Sequence, residues 1–210
     1  MKKYVLLSLL LAFSSSMFSQ TKLSLEQQKQ IIDRIDKAAS GMKSMQCDFV
    51  QTKSMKLLKR DMQSKGVMYF KQPNLLRWQY TSPYDYIFIL NNNKVGISSV
   101  KSSKTIDVQK NKMFRQITNI ILKSITGGGL KSSTDFQVEI YNSSTGYFAK
   151  MYPKKKEVKQ IYDVIEIYFN QELTMVSGVK MYEKTGDVTM VSLDNVRYNL
   201  SINEELFKIN

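Results

Sequence analysis

Two periods of hydrophobicity divide this chain. Between residues 25 and 42 the side chains of Leu25, Ile31, Ile32, Ile35, Ala38, Ala39 and Met42 recur at helical spacing. Ser24 with Gln27 three residues on fits a capping box, and Gly41 stands where a C-terminal cap is useful. The pattern predicts an amphipathic helix over 24–41 whose apolar stripe must be buried, most simply on a neighbouring sheet. From Met45 the period falls to two. Met45, Cys47 and Phe49 alternate with Gln46, Asp48 and Val50, as in a half-buried strand. Further strands are expected at 54–58, 62–70, 86–90, 94–100 and 105–109, then at 136–142, 147–152, 162–169, 174–183 and 188–198. Asn91-Asn92-Asn93 and Lys184-Thr185-Gly186-Asp187 supply hairpin turns between them.

The stretch 66–83, GVMYFKQPNLLRWQYTSP, organises the rest. It reads as two strands joined by a Pro-Asn turn, with Pro83 marking the next corner. Gly66, Met68 and Phe70 share one face of the first strand; Leu76, Trp78 and Tyr80 share one face of the second. No residue here suits chemistry. The stretch offers a row of large apolar side chains on a curved sheet.

Residues 111–126 interrupt the strands. Asn111 can cap a helix in which Phe114, Ile117, Ile121 and Ile125 recur at helical spacing, widened by Met113, Ile120 and Leu122. Gly127-Gly128-Gly129 ends it and is expected to act as a flexible joint. Such a helix is either a core helix on the sheet or a movable lid over an apolar cavity. The tally is about ten or eleven strands and two main helices. So many meandering strands must curl to protect their edges. The expected fold is α+β: an incomplete, half-open antiparallel β-barrel covered by helices and enclosing a hydrophobic cavity.

Composition narrows the chemistry. With no histidine and a single cysteine, the 210-residue chain lacks the means for most transition-metal sites and for histidine-based triads. Cys47, in the alternating strand, is expected to be an inert core thiol. The glycine run comes after a helix instead of opening one, so it is no nucleotide loop. No serine sits in a nucleophile elbow, and no pair among the scattered carboxylates stands out for glycosidase work. Neither catalytic residues nor a metal or other cofactor are therefore expected. The net charge of +13 could serve nucleic acid, but no helix-turn-helix or RNP-like motif is present. Pro153-Lys154-Lys155-Lys156 reads as a solvated basic turn or as a patch for anionic lipid.

The first residues have the form of a leader. Lys2 and Lys3 precede ten apolar residues, 4–13, and then Ser14, Ser15, Ser16 and Ser19. Ten apolar residues are too few to span a bilayer as a helix. A signal peptide over 1–19, cleaved on export, and a single domain over 20–210 are expected. The mature chain would then carry 29 basic against 18 acidic residues, a net of +11.

Several motifs together resemble the periplasmic outer-membrane lipoprotein carrier (LolA-like) family. They are Phe49-Val50-Gln51; Lys71-x-Pro73-Asn74-Leu75-x-Arg77-Trp78 after Gly66-x-Met68-Tyr69-Phe70; Thr81-Ser82-Pro83; and ILNNNKV at 89–95. They agree in order over residues 24–100; beyond Lys101 the likeness is architectural. The resemblance implies a half-barrel whose cavity holds lipoprotein acyl chains. It implies a periplasmic chaperone loaded by an inner-membrane ABC lipoprotein transporter, with an outer-membrane acceptor left open. Phe49, Met68, Phe70, Leu76, Trp78 and Tyr80 are the wall candidates for lipid binding, and Ile31, Ile35, Phe114, Ile117 and Ile121 the lid candidates. Each is also what an ordinary core would use. The family often has an arginine before the Pro-Asn turn that holds the lid closed; here Gln72 stands there, a lid contact without charge. Lys71, Arg77 and Lys112 are candidate cations at the mouth. A monomer is expected. Two other classes stay open on the same fold: a carrier of free lipid or another hydrophobic molecule, and an envelope lipoprotein sensor.

Overall fold

A computed structural model describes residues 20–58, 60–99, 102–110 and 112–209. The expected leader, 1–19, and the expected cap Asn111 lie outside them, as do the side chains of Lys112, Met113, Phe114, Gln116 and Ile117.

One antiparallel sheet of twelve strands carries the fold. Its strands are β1 (Thr21–Lys22), β2 (Ser44–Met55), β3 (Arg60–Lys71), β4 (Leu75–Ser82), β5 (Tyr86–Asn91), β6 (Lys94–Ser99), β7 (Ser102–Asp107), β8 (Phe136–Ser143), β9 (Gly146–Pro153), β10 (Tyr162–Phe169), β11 (Val176–Glu183) and β12 (Val188–Tyr198). Their order across the sheet is β1-β8-β9-β10-β11-β12-β2-β3-β4-β5-β6-β7, so the two halves of the chain join where β12 pairs with β2. Among the described residues the edges, β1 and β7, do not pair with each other. The barrel is open, with helices α1 (Leu25–Gly41), α2 (Lys112–Thr126) and the single turn α3 (Lys156–Lys159), and a short 3-10 turn at Glu204–Phe207.

The helices begin and end for local reasons. Ser24 Oγ accepts from the Gln27 N–H while Gln27 Oε1 accepts from the Ser24 N–H, completing the capping box. Gly41 is not the cap: the helix runs through it and stops at Met42, whose extended backbone donates to the Ala39 carbonyl. At the end of α2, Gly127 and Gly129 take positive φ values of 68° and 74°. A Cβ on Gly127 would meet the Phe169 ring at 2.7 Å, and one on Gly128 would meet Ala39 at 2.8 Å. The run thus reverses the chain and lets it pass close to α1 and β10.

The separate strand expected at 54–58 is absent. Ser54 and Met55 finish β2, and residues 56–58 form the turn into β3. Leu57 and Leu58 imitate a strand in composition but pair with none of the described strands. The two-residue β1 is too short for any periodic signal, yet it pairs with Tyr141 and Asn142.

Inward-facing residues of the long strands join one core with Ile31 and Ile35 of α1 and Ile120 and Ile125 of α2. A smaller cluster lies on the outer face, where the C-terminal segment lays Ile202 and Phe207 against Ile89. Arg77 and Lys71 serve that segment. The Arg77 guanidinium donates to the Leu206 carbonyl at 3.1 Å, and Lys71 pairs with Glu204 at 2.6 Å. Their expected place at the cavity mouth is therefore overturned: both point to the opposite face.

Candidate binding cavity

The central hairpin closes in the register that its pattern requires. Met68 pairs with Trp78, Phe70 with Leu76 and Gly66 with Tyr80. Gly66 is needed because a Cβ there would fall 2.0 Å from the Gln79 carbonyl and 2.6 Å from the Phe49 ring. Phe49 fills that space, with its ring 4.6 Å from Trp78 and 5.1 Å from Tyr80, centroid to centroid.

Above these rings the sheet and α2 enclose a cavity of about 240 Å³. Its walls are Trp78 and Tyr80 of β4, Tyr86 and Phe88 of β5, Gln51 of β2, Val191 of β12, Met181 of β11 and Tyr162 of β10. Ile120 and Ile121 of α2 form its cover. Strands as far apart in the sheet as β10 and β5 face one space, which measures how strongly the sheet curls.

Polar groups in this lining are few and mostly engaged. The Tyr80 hydroxyl donates to Gln51 Oε1 at 2.9 Å. Burial pushes the Tyr80 phenol above its usual pKa, with the nearby Trp78 indole and Gln51 only partly offsetting it. The Trp78 indole lies near that hydroxyl, but its Nε1 is buried without a hydrogen bond of good geometry. Beside Tyr162, Lys53 bridges Glu183 at 3.1 Å and Asp187 at 3.5 Å, and the Thr189 hydroxyl donates to Glu183. Burial opposes the Lys53 charge, but Glu183 outweighs it and holds the ammonium pKa above its ordinary value. Cys47 is buried in the hydrophobic core, where burial pushes its thiol up to about 12.

The sequence candidates whose side chains are described fall in three places. Trp78, Tyr80 and Ile121 line the cavity. Ile31, Ile35, Phe49, Met68, Phe70 and Leu76 are buried in the core that supports it. Gln72 lines a separate cleft of about 450 Å³, with Asp36 and Ala39 of α1 and Asn119, Lys123 and Thr126 of α2. Pattern alone does not single out Tyr86, Phe88, Tyr162, Met181 or Val191. For Phe88 and Tyr86 a signal exists, since each sits directly across from Trp78 and Tyr80.

An open half-barrel with an apolar cavity under a helical cover is the architecture of a site for hydrophobic ligands. Residues 40–210 match the family model "Outer membrane lipoprotein carrier protein LolA", and the chain belongs to that family. It is 24% identical over 205 residues to an outer-membrane lipoprotein carrier protein of Legionella pneumophila (strain Lens), covering 97% of this chain and 93% of the relative. Among solved structures it is similar to the Pseudomonas aeruginosa MucA/MucB complex, with a TM-score of 0.53, 11% identity and coverage of 88% of this chain and 61% of that one. A LolA-superfamily protein from Nitrosomonas europaea aligns with a TM-score of 0.47 at 9% identity, over 86% of this chain and 97% of that one. Among the described residues no helix is long and apolar enough to cross a membrane.

Proposed function

We propose that this protein is a periplasmic chaperone that shelters lipoprotein acyl chains beneath α2 and carries them from the inner to the outer membrane. The observation that carries the reading is the cavity itself: a space walled by aromatic and aliphatic side chains, in a chain of the lipoprotein carrier family. Residues 1–19 act as the cleaved export signal, and 20–210 as the working domain. An inner-membrane ABC transporter loads the cargo. Trp78, Tyr80 and Ile121 touch the acyl chain directly, and Phe114 and Ile117 belong to the same lid.

The cavity is smaller than the ~300 Å³ at which pockets for drug-sized ligands begin. A full acyl chain therefore enters only if α2 moves outward. Residues such as Phe49, Met68 and Phe70 then become the deeper wall, and Met68 is well suited to adapt.

The test is release of lipoproteins from spheroplasts of the source organism by added mature protein. We expect lipoproteins in the supernatant in soluble complexes with it, and none with Trp78→Asp. If no lipoprotein is released while purified protein contains bound lipid, the cargo is a free lipid and the lipoprotein assignment falls.

A further inference from the structure

The β2–β3 turn places two adjacent leucines at the tip of a hairpin that extends past its neighbours. Leu57 is 92% exposed and Leu58 53%. Exposed single leucines are ordinary, but a neighbouring pair on a projecting tip is not. The hairpin overhangs its neighbours: β12 accompanies β2 only to Ser54, and β4 joins β3 only from Lys65. The tip is braced nonetheless. The Lys56 N–H donates to Asp187 Oδ1 at 3.1 Å, and the Lys56 stem lies against Gly186 of the neighbouring turn.

Its position matters as much as its exposure. Gln51 lines the cavity, and the same strand runs straight on to the tip, within about 20 Å at about 3.3 Å per residue. In an antiparallel sheet the C-terminal ends of β2, β4, β9 and β11 share one rim. That rim therefore holds Leu57 and Leu58 with exposed Tyr84 after β4, and the lysines 154, 156 and 159 after β9. The described residues of the tip include the exposed cations Lys56 and Arg60, beside the acids Asp61 and, on the neighbouring turn, Asp187.

We infer that the Leu57–Leu58 tip is a membrane-docking element that seats the cavity rim on an anionic lipid bilayer. The leucines enter the headgroup boundary, the flanking cations bind lipid phosphates, and the cavity opens toward the surface from which acyl chains arrive or into which they leave. An apolar tip alone fits several partners; the cations beside it, on a chain of net charge +13, select an anionic surface. The inference rests on the carrier reading for its purpose, but its measurement does not.

Mature protein is sedimented with vesicles of phosphatidylethanolamine and phosphatidylglycerol, and in parallel with pure phosphatidylcholine vesicles. Wild type should partition onto the anionic vesicles, less so at high salt. Leu57→Ser/Leu58→Ser should lower that partitioning by about tenfold, and Lys56→Gln/Arg60→Gln should abolish the preference for anionic lipid. Binding of a fluorescent fatty acid in the cavity should be unchanged in both variants, which also shows that they fold. Wild-type binding that survives the leucine changes overturns the inference, as does no binding by wild type. A dimer in lipid-free solution that dissociates in the leucine variant, without vesicle binding, assigns the tip to a second copy and overturns it equally. If tip-dependent vesicle binding is seen but no fatty acid enters wild type, the docking inference stands and the carrier reading falls.

Discussion

Gln72 is where the chain departs from the resemblance, and its surroundings show why the departure matters. It faces α2 across a cleft shared with Lys123, so an arginine there would meet a like charge as well as the neighbouring Asp36. A neutral amide avoids that repulsion and keeps its hydrogen-bonding capacity in the cleft. Gln72→Leu should weaken closure of α2, seen as faster amide exchange over 119–126 in empty protein and a shifted fatty-acid loading curve. An unchanged loading curve would remove Gln72 from the lid. Single residues also mark the limit of pattern reading. The alternation in 66–80 names Trp78 and Tyr80 as wall, and both line the cavity. It does not separate them from Met68 and Leu76, because core and cavity demand the same side chains. Depth along the strand makes the difference, and depth is set by where α2 crosses. Nor does it pick out Phe88, whose role comes from register with Trp78 and not from its own spacing.

Elements are more legible than their duties. The helix over 24–41 and most strands are found where the two periods put them, because apolar faces on this scale leave little choice of partner. The failure at 54–58 is instructive: Lys56-Leu57-Leu58 looks like the apolar end of a strand, but β12 on one side and β4 on the other stop short of it. The basic stretch 153–156 reads in sequence as either a turn or a lipid patch, and one of its lysines has a structural duty. Lys155 pairs with Asp135 at 2.6 Å, and the Lys154 N–H donates to the Asp135 carbonyl, fixing the loop to the start of β8. Burial works against the Asp135 charge, but Lys155 and the Thr134 hydroxyl outweigh it and hold its carboxyl below the usual range. A carboxyl with a depressed folded pKa stabilises fully above its unfolded value and loses that contribution as pH falls through the folded one. Asp135→Asn should therefore cost about 1 kcal/mol in urea denaturation between pH 5 and 8. The gap from wild type should close only below about pH 4. A constant gap down to pH 3 would mean that the carboxylate charge is not what holds the loop.

At the scale of the whole molecule, the central question is how a protein with a cavity of about 240 Å³ can shelter a lipid. An acyl chain of ~15 methylenes gains on the order of 12 kcal/mol on leaving water, at ~0.8 kcal/mol per CH₂. Moving α2 outward exposes Ile120 and Ile125, now buried, and Ile121 beside them, at about 1.5–3 kcal/mol each. The opening cost is thus several kcal/mol, large enough to keep the empty form shut and smaller than what the cargo supplies. In the proposed function the isoleucines of α2 are a surrogate cargo, occupying the apolar wall until an acyl chain replaces them. Weakening the surrogate should favour the open state without touching the sheet. Ile120→Ala should destabilise the closed form by about 2 kcal/mol, raising amide exchange along α2 in empty protein roughly thirtyfold while β8–β12 stay protected. Loaded wild type and loaded variant should exchange alike, because in both the acyl chain, not Ile120, fills the wall. If exchange rises equally across the sheet and α2, the helix is part of the permanent core, and the cavity must admit its ligand by another route.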